Sequence, residues 1–207
     1  MQINPKDKAD IALTITEKAR RRQIIEITIE IIAELGYHRA SYARIMERAG
    51  LSSSRIITYH LGSKADLMQA VLLEIIDTKD RFLEERAGNP TSRKDIIRTH
   101  IEAEVAFLGE YPNHVRALHE IEMHSRSQGS TSLPRLLLQG VRVGRVTRQL
   151  QQGQQDGSFG EFDVEVMANS IVHAIEGADE ALRENIDLDL EHYGHELANL
   201  FQKTLTA

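Results

Sequence analysis

Histidine and carboxylate side chains four positions apart share one face of a helix, where they could hold a metal ion. His100/Glu104, Glu120/His124 and Glu191/His195 are pairs of this spacing. Pairs of this kind are common by chance, and none of them belongs to a larger motif. A di-iron helical bundle needs Glu-x-x-His on two helices, and the sequence contains none. H-E-x-x-H, the phosphate-cradling G-x-x-x-x-G-K and a Ser/His/Asp set with a recognisable elbow are also absent. With no cysteine, disulfides, thiolate metal sites and cysteine nucleophiles are excluded. Neither catalysis nor a metal or other cofactor is expected.

The other chemistry is electrostatic. The net charge of −6 is the wrong sign for a nucleic-acid partner, but it is unevenly spread. Residues 1–70 hold 11 Lys and Arg against 8 Asp and Glu, whereas residues 71–207 hold 14 against 23. A basic head on an acidic body is the footprint expected if only the N-terminal part meets phosphate. Apolar residues at 41% and charged residues at 27% fit an ordinary globular protein. No apolar run exceeds four residues, and the first twenty lack the apolar stretch of a secretory signal. A cytoplasmic protein with no membrane partner is expected.

The elements that position these residues read as helices throughout. Residues 1–15 are polar and form a loose tail. Within 22–35 the stretch IEITIEI alternates like a strand, yet 16–35 runs without Gly or Pro, and Ile24, Thr28, Ile31 and Leu35 keep helical spacing. A helix over 16–35 is therefore expected, with Gly36 just past its end. Ser41 caps a short helix through Ala49, Gly50 ends it, and Ser52, Ser53 and Ser54 offer caps to a second short helix carrying Arg55 to His60. Two short helices joined by a Gly-containing turn make a helix-turn-helix. Gly62 closes the unit, and Ser63 with Asp66 opens a long helix to about residue 86. After the Gly88-Asn89-Pro90 break, helices are expected from Ser92 to near Gly109, over 113–125, and from Pro134 along the stripe Leu136, Gly140, Val143, Thr147 and Leu150. Residues 125–134 read as a mobile loop and 151–160 as a polar connector. Two last helices cover 163–183 and 188–205. The expected fold is all-α with about nine helices: a head at 16–63 and a body at 64–207.

Residues 22–70 resemble the DNA-binding domain of the tetracycline-repressor (TetR) family of bacterial transcription factors. The likeness lies in Ile24, Glu34, Gly36-Tyr37, Ile45, Ala49-Gly50-Leu51-Ser52, Tyr59-His60, Ser63-Lys64 and Leu67. Departures from the family pattern are Ile27 and Thr28 where many members have alanines, Met46 for Ala, a stretch from Gly50 to Lys64 one residue longer than usual, and Leu61 at a commonly aromatic or bulky position.

The resemblance implies a ligand-responsive DNA-binding regulator, a repressor that holds a palindromic operator as a homodimer and is released by a small-molecule effector. Arg20, Arg21, Arg22, Tyr42, Arg44 and Lys64 would approach the DNA backbone. Arg55, the only long cation on the recognition helix, could read guanine through O6 and N7, with Ser53, Ser54, Thr58, Tyr59 and His60 as further contacts. Met167, Ile171, Ala174, Ala178 and Leu182 on one of the last helices, and Tyr193, Leu197 and Leu200 on the other, would pack against a second copy. His100, Glu104, His119, Glu122, Arg142, His173 and Glu176, among Phe107, Met123 and Met167, are the candidate effector contacts. The alternative is a helical dimer that senses a ligand or binds a protein without reading DNA.

Overall fold

The computed structural model describes the backbone of residues 15–127 and 133–205, and the side chains of 16–125 and 143–205. Among the described residues the chain is all helical: α1 (Ile15–Leu35), a 3-10 turn (Tyr37–Arg39), α2 (Tyr42–Ala49), α3 (Ser54–Leu61), α4 (Lys64–Ala87), α5 (Arg93–Glu110), α6 (Pro112–Ser127), α7 (Leu133–Gln155), α8 (Val164–Glu184) and α9 (Leu190–Leu205).

The strand-like alternation of α1 is overridden by burial. Ile24, Ile25, Ile29, Ile31 and Ile32 are all within 1% of complete burial, and only a helix turns that set inward together. Thr28 is buried among them and donates its hydroxyl to the Ile24 carbonyl at 2.7 Å, so the polar atom is satisfied within the helix. Ile45 of α2, Ile57 and Leu61 of α3, Leu67, Leu72 and Ile75 of α4, and Ala117 and Ile121 of α6 complete this first core. Leu61 thus fills an inward position, and Met46 packs half-buried beside it. The core runs beyond residue 63, because α4 is shared: its N-terminal half belongs here, while Phe82 joins a second core built from α5, α7, α8 and α9.

The helix boundaries follow local signals. Ser41, Ser53, Ser63 and Ser92 accept from backbone N–H groups at the starts of α2, α3, α4 and α5. Ser63 and Asp66 form a reciprocal capping box. Gly50 takes the left-handed conformation at φ 62°, which reverses the chain between α2 and α3.

Two readings of the sequence need correction. The expected connector over 151–160 is helical as far as Gln155. Gly153 marks a packing contact: the buried Phe159 ring lies where its Cβ would be, 2.0 Å from Cδ2. Gln154 then ties the turn, donating to the carbonyls of Gly160 and Phe162 at 3.0 Å each. The expected loop over 125–134 also shortens, since 125–127 belong to α6 and α7 begins at Leu133. The tail at 1–14 and the side chains of Pro134, Leu136 and Gly140 lie outside the described residues.

Candidate functional site

The turn between α2 and α3 is shaped at one end by the left-handed Gly50 and at the other by Ser53 Oγ, which accepts the Arg55 N–H at 3.2 Å. Ile57 and Leu61 anchor α3 in the first core, which leaves Ser54, Arg55, Thr58 and Tyr59 exposed on its outer side. Thr58 Oγ1 donates to the Ser54 carbonyl at 3.3 Å. The Arg55 guanidinium has no hydrogen bond or ion pair among the described residues. Tyr59, 74% exposed, donates its hydroxyl to Glu17 Oε1 at 3.1 Å. That bond, reinforced by the carboxylate charge, pushes the phenol pKa up. His60 is half-buried beside the Tyr59 ring, and its Nδ1 is buried without a hydrogen-bond partner.

The backbone-contact candidates divide by what already holds them. Arg20 is exposed and bonds only Gln23, at 2.6 Å, and Arg21 is half-exposed. Arg22 lies 4.0 Å from both Glu26 and Glu74, turned along the protein surface. Arg44 donates to the Arg39 carbonyl at 3.0 Å, and the Tyr42 hydroxyl to the Gly62 carbonyl at 3.2 Å. Lys64 is folded back: its Nζ sits 5.9 Å from the Tyr42 ring centroid, is buried and finds no hydrogen-bond partner. Burial pushes its pKa below the ordinary lysine value. Arg20, Arg21, Ser54, Arg55, Thr58 and Tyr59 therefore face solvent ready for contact. Arg22, Tyr42, Arg44, Ser53 and Lys64 are engaged with the protein or withdrawn into it.

Behind this head, α4, α5, α6 and α8 enclose a small cavity of about 80 Å³. His100, Glu104, Phe107, His119, Glu122 and Glu176 line it as the sequence suggested, among Leu108, Val115, Leu118, Val172 and Ile175. Lys79 and Asp179, which sequence reasoning missed, line it too. Lys79 Nζ lies 2.6 Å from Glu104 Oε2, and His100 Nε2 lies 3.9 Å from Glu104 Oε1. Burial pushes the Glu104 carboxyl up, but Lys79 and His100 outweigh it and hold the group below the usual carboxylate range. Burial, helped by Lys79 and Arg145, holds the His100 pKa below the ordinary histidine value against the opposing pull of Glu104. At the other end Asp179 accepts from Arg183 at 2.5 Å and stands 3.5 Å from His119.

Three effector candidates are not brought there, and a fourth lies outside the described residues. Met123 is 65% exposed, away from the cavity. His173 points outward and pairs with Glu176 at 2.9 Å. Met167 packs against the second core, and the Arg142 side chain lies outside the described residues. Among the described residues no group of three or more His, Cys, Asp or Glu could hold a metal ion. Helix α6 serves both regions: Val115, Leu118, His119 and Glu122 face the cavity, while Ala117 and Ile121 enter the first core. Glu120, on the same helix, accepts the Tyr37 N–H at 3.1 Å, and the His124 ring stacks on Tyr37 at 4.0 Å.

The candidate pairing surface on α8 and α9 is mixed. Ile171 and Ala178 are wholly buried in the chain's own core, so they are not available to a partner; the stripe on α8 turns inward at those positions. Leu200 is 57% exposed, and Met167, Ala174, Leu182, Tyr193 and Leu197 are half-buried. Val166, absent from the sequence expectation, is exposed on α8. No helix among the described residues is long and apolar enough to cross a membrane.

No family model matches the chain. Over 84 residues it is 37% identical to the HTH-type transcriptional regulator BetI 1 of Chromohalobacter salexigens, a stretch that covers 40% of this chain and 41% of that protein. The match thus spans about two fifths of that relative's length. A putative TetR-family transcriptional regulator from Rhodococcus sp. superposes with a TM-score of 0.74 at 20% identity, covering 93% of this chain and all of the other. The transcriptional regulator FadR from Bacillus subtilis, in complex with stearoyl-CoA, superposes with a TM-score of 0.73 at 20% identity, covering 88% and 98%. The likeness read from residues 22–70 therefore extends, in fold, over nearly the whole chain, which is TetR-like from its helix-turn-helix head through its helical body.

Proposed function

We propose that this protein is a ligand-responsive transcriptional regulator, a repressor that binds a palindromic operator as a homodimer and leaves it when a small molecule enters the body. The observation that carries the reading is the outer face of α3. Ser54, Arg55, Thr58 and Tyr59 are presented together on a helix fixed from behind by Ile57 and Leu61, at the tip of the basic third of an acidic chain. A helix so mounted fits the major groove, where side chains read base edges, while Arg20 and Arg21 stand where phosphates would pass.

A single head makes few contacts, so two copies and two half-sites are required. The centres of such half-sites lie one helical turn, about 34 Å, or a multiple of it apart. Leu200, with half-buried Tyr193 and Leu197, offers apolar surface for the pairing. The division of labour follows the chain: 16–63 reads DNA, and 64–207 binds effector and partner. That a FadR of this fold was solved with stearoyl-CoA supports an effector role for the body. The cavity here is much smaller than an acyl chain and carries more carboxylates than cations, so a compact ligand that tolerates acidic neighbours suits it.

The test is a gel shift with the duplex that flanks the protein's own gene. Retention by one palindrome, weakening steeply with salt, and a dimer by sizing are expected. Absence of retention at low salt, or a monomer at every concentration, overturns the reading.

A further inference from the structure

Tyr59 lies one helical turn after Arg55, so both side chains occupy the outer face of α3. The direction of its hydrogen bond to Glu17 is set by chemistry. A phenol carries one O–H, and an ionised carboxylate can only accept, so the proton on Tyr59 Oη points at Glu17 Oε1, 3.1 Å away in the first turn of α1. What the hydroxyl presents outward is lone pairs. Phosphate oxygens have no proton to give, and in the major groove guanine N7 and O6 and thymine O4 are acceptors as well. The amino groups of adenine N6 and cytosine N4 are donors.

We propose that Glu17 makes Tyr59 a one-way acceptor, so that at the base it faces the protein selects adenine or cytosine and turns away from guanine, thymine and phosphate. Glu17 is then a positioning residue for specificity, although it stands on α1, outside the helix-turn-helix. Its negative charge adds to the selection by keeping phosphate away from the hydroxyl. The inference rests on the reading that α3 enters the groove.

Selection of bound sequences from a random duplex library, using the full-length protein and its Tyr59→Phe and Glu17→Ala variants, tests it. For the unaltered protein each enriched half-site is expected to contain one position where adenine and cytosine outnumber guanine and thymine by about 2- to 10-fold, the range one hydrogen bond supports. Both variants should lose that preference at that position alone, and the rest of the motif should stand. Tyr59 is exposed, and melting curves that match the unaltered protein confirm that the variants fold.

An unchanged motif in Tyr59→Phe overturns the proposal while leaving DNA reading intact. So does a Tyr59-dependent position that prefers guanine or thymine, or one that ignores Glu17→Ala. If the unaltered protein enriches no sequence, the reading of α3 as a recognition helix fails, and this inference falls with it.

Discussion

Lys79 and Glu104 meet at 2.6 Å across the wall of the cavity, an ammonium from α4 on a carboxylate from α5, with both side chains no more than 20% exposed. Neither was obtained from water cheaply: each charge is tolerated there only because the other is present, with His100 and Arg145 adding to the field on the carboxylate.

Lys79→Met should therefore lower stability by about 3–5 kcal/mol, the cost of a buried charge left without its partner. Adding Glu104→Leu should recover most of that loss. The sign with pH follows from the depressed Glu104 pKa: its contribution is complete above the ordinary carboxylate range and disappears as pH falls through the folded value. Urea unfolding of both variants decides the matter, and an unchanged midpoint in Lys79→Met contradicts it.

Arg55 and Arg20 should separate base reading from phosphate contact. Arg55→Ala is expected to weaken operator binding by about 10- to 100-fold and relax choice at one base pair, with little change in salt dependence. Arg20→Ala should weaken all sequences alike and reduce the salt slope by about one. Gel shifts over a salt series measure both quantities, and equal effects from the two variants would remove the distinction.

Gly153→Ala should be costly although alanine is the better helix former. The added methyl would lie 2.0 Å from Phe159 Cδ2, so the ring must leave the second core or α7 must move. Overpacking of this kind costs about 1–3 kcal/mol. A thermal midpoint that rises would show that the turn after α7 accommodates the ring elsewhere.

Asp66 should make the head acid-sensitive. The Ser63 hydroxyl and N–H bonds hold its carboxyl below the usual range. The stabilisation they confer is present above the ordinary carboxylate pKa and is lost as pH falls through the lowered one. Asp66→Asn should therefore reduce stability at neutral pH and flatten its decline on acidification. Denaturant midpoints across the acid range would show it, and parallel curves for the two proteins would refute it.

The head was legible because its signals are local. Ser41, Ser53, Ser63 and Gly50 each act within a few residues, and a cap is visible as a residue type at a fixed offset. Gly153 misled because its reason is Phe159, a ring that returns only after the turn; a glycine between glutamines looks like an interruption until that ring is placed. The cavity was half legible. His100, Glu104 and Phe107 share an α5 face with apolar neighbours, which betrays burial, whereas Lys79 sits in a charged run on α4 that reads as solvated surface. Met123 and His173 failed for the converse reason: their types suit a pocket, but the phase of α6 and α8 turns them out. Glu17 carried no signal, because the position of Tyr59 relative to α1 is tertiary information.

On the proposed function, the back-to-back use of α6 would remove any need for a relay. The wall against which a guest would press is also the footing of the α1 isoleucines, so swelling on one side would be felt on the other within the thickness of a single rod. A compound slightly too big for its chamber would tilt that rod, and the tilt itself would be the message.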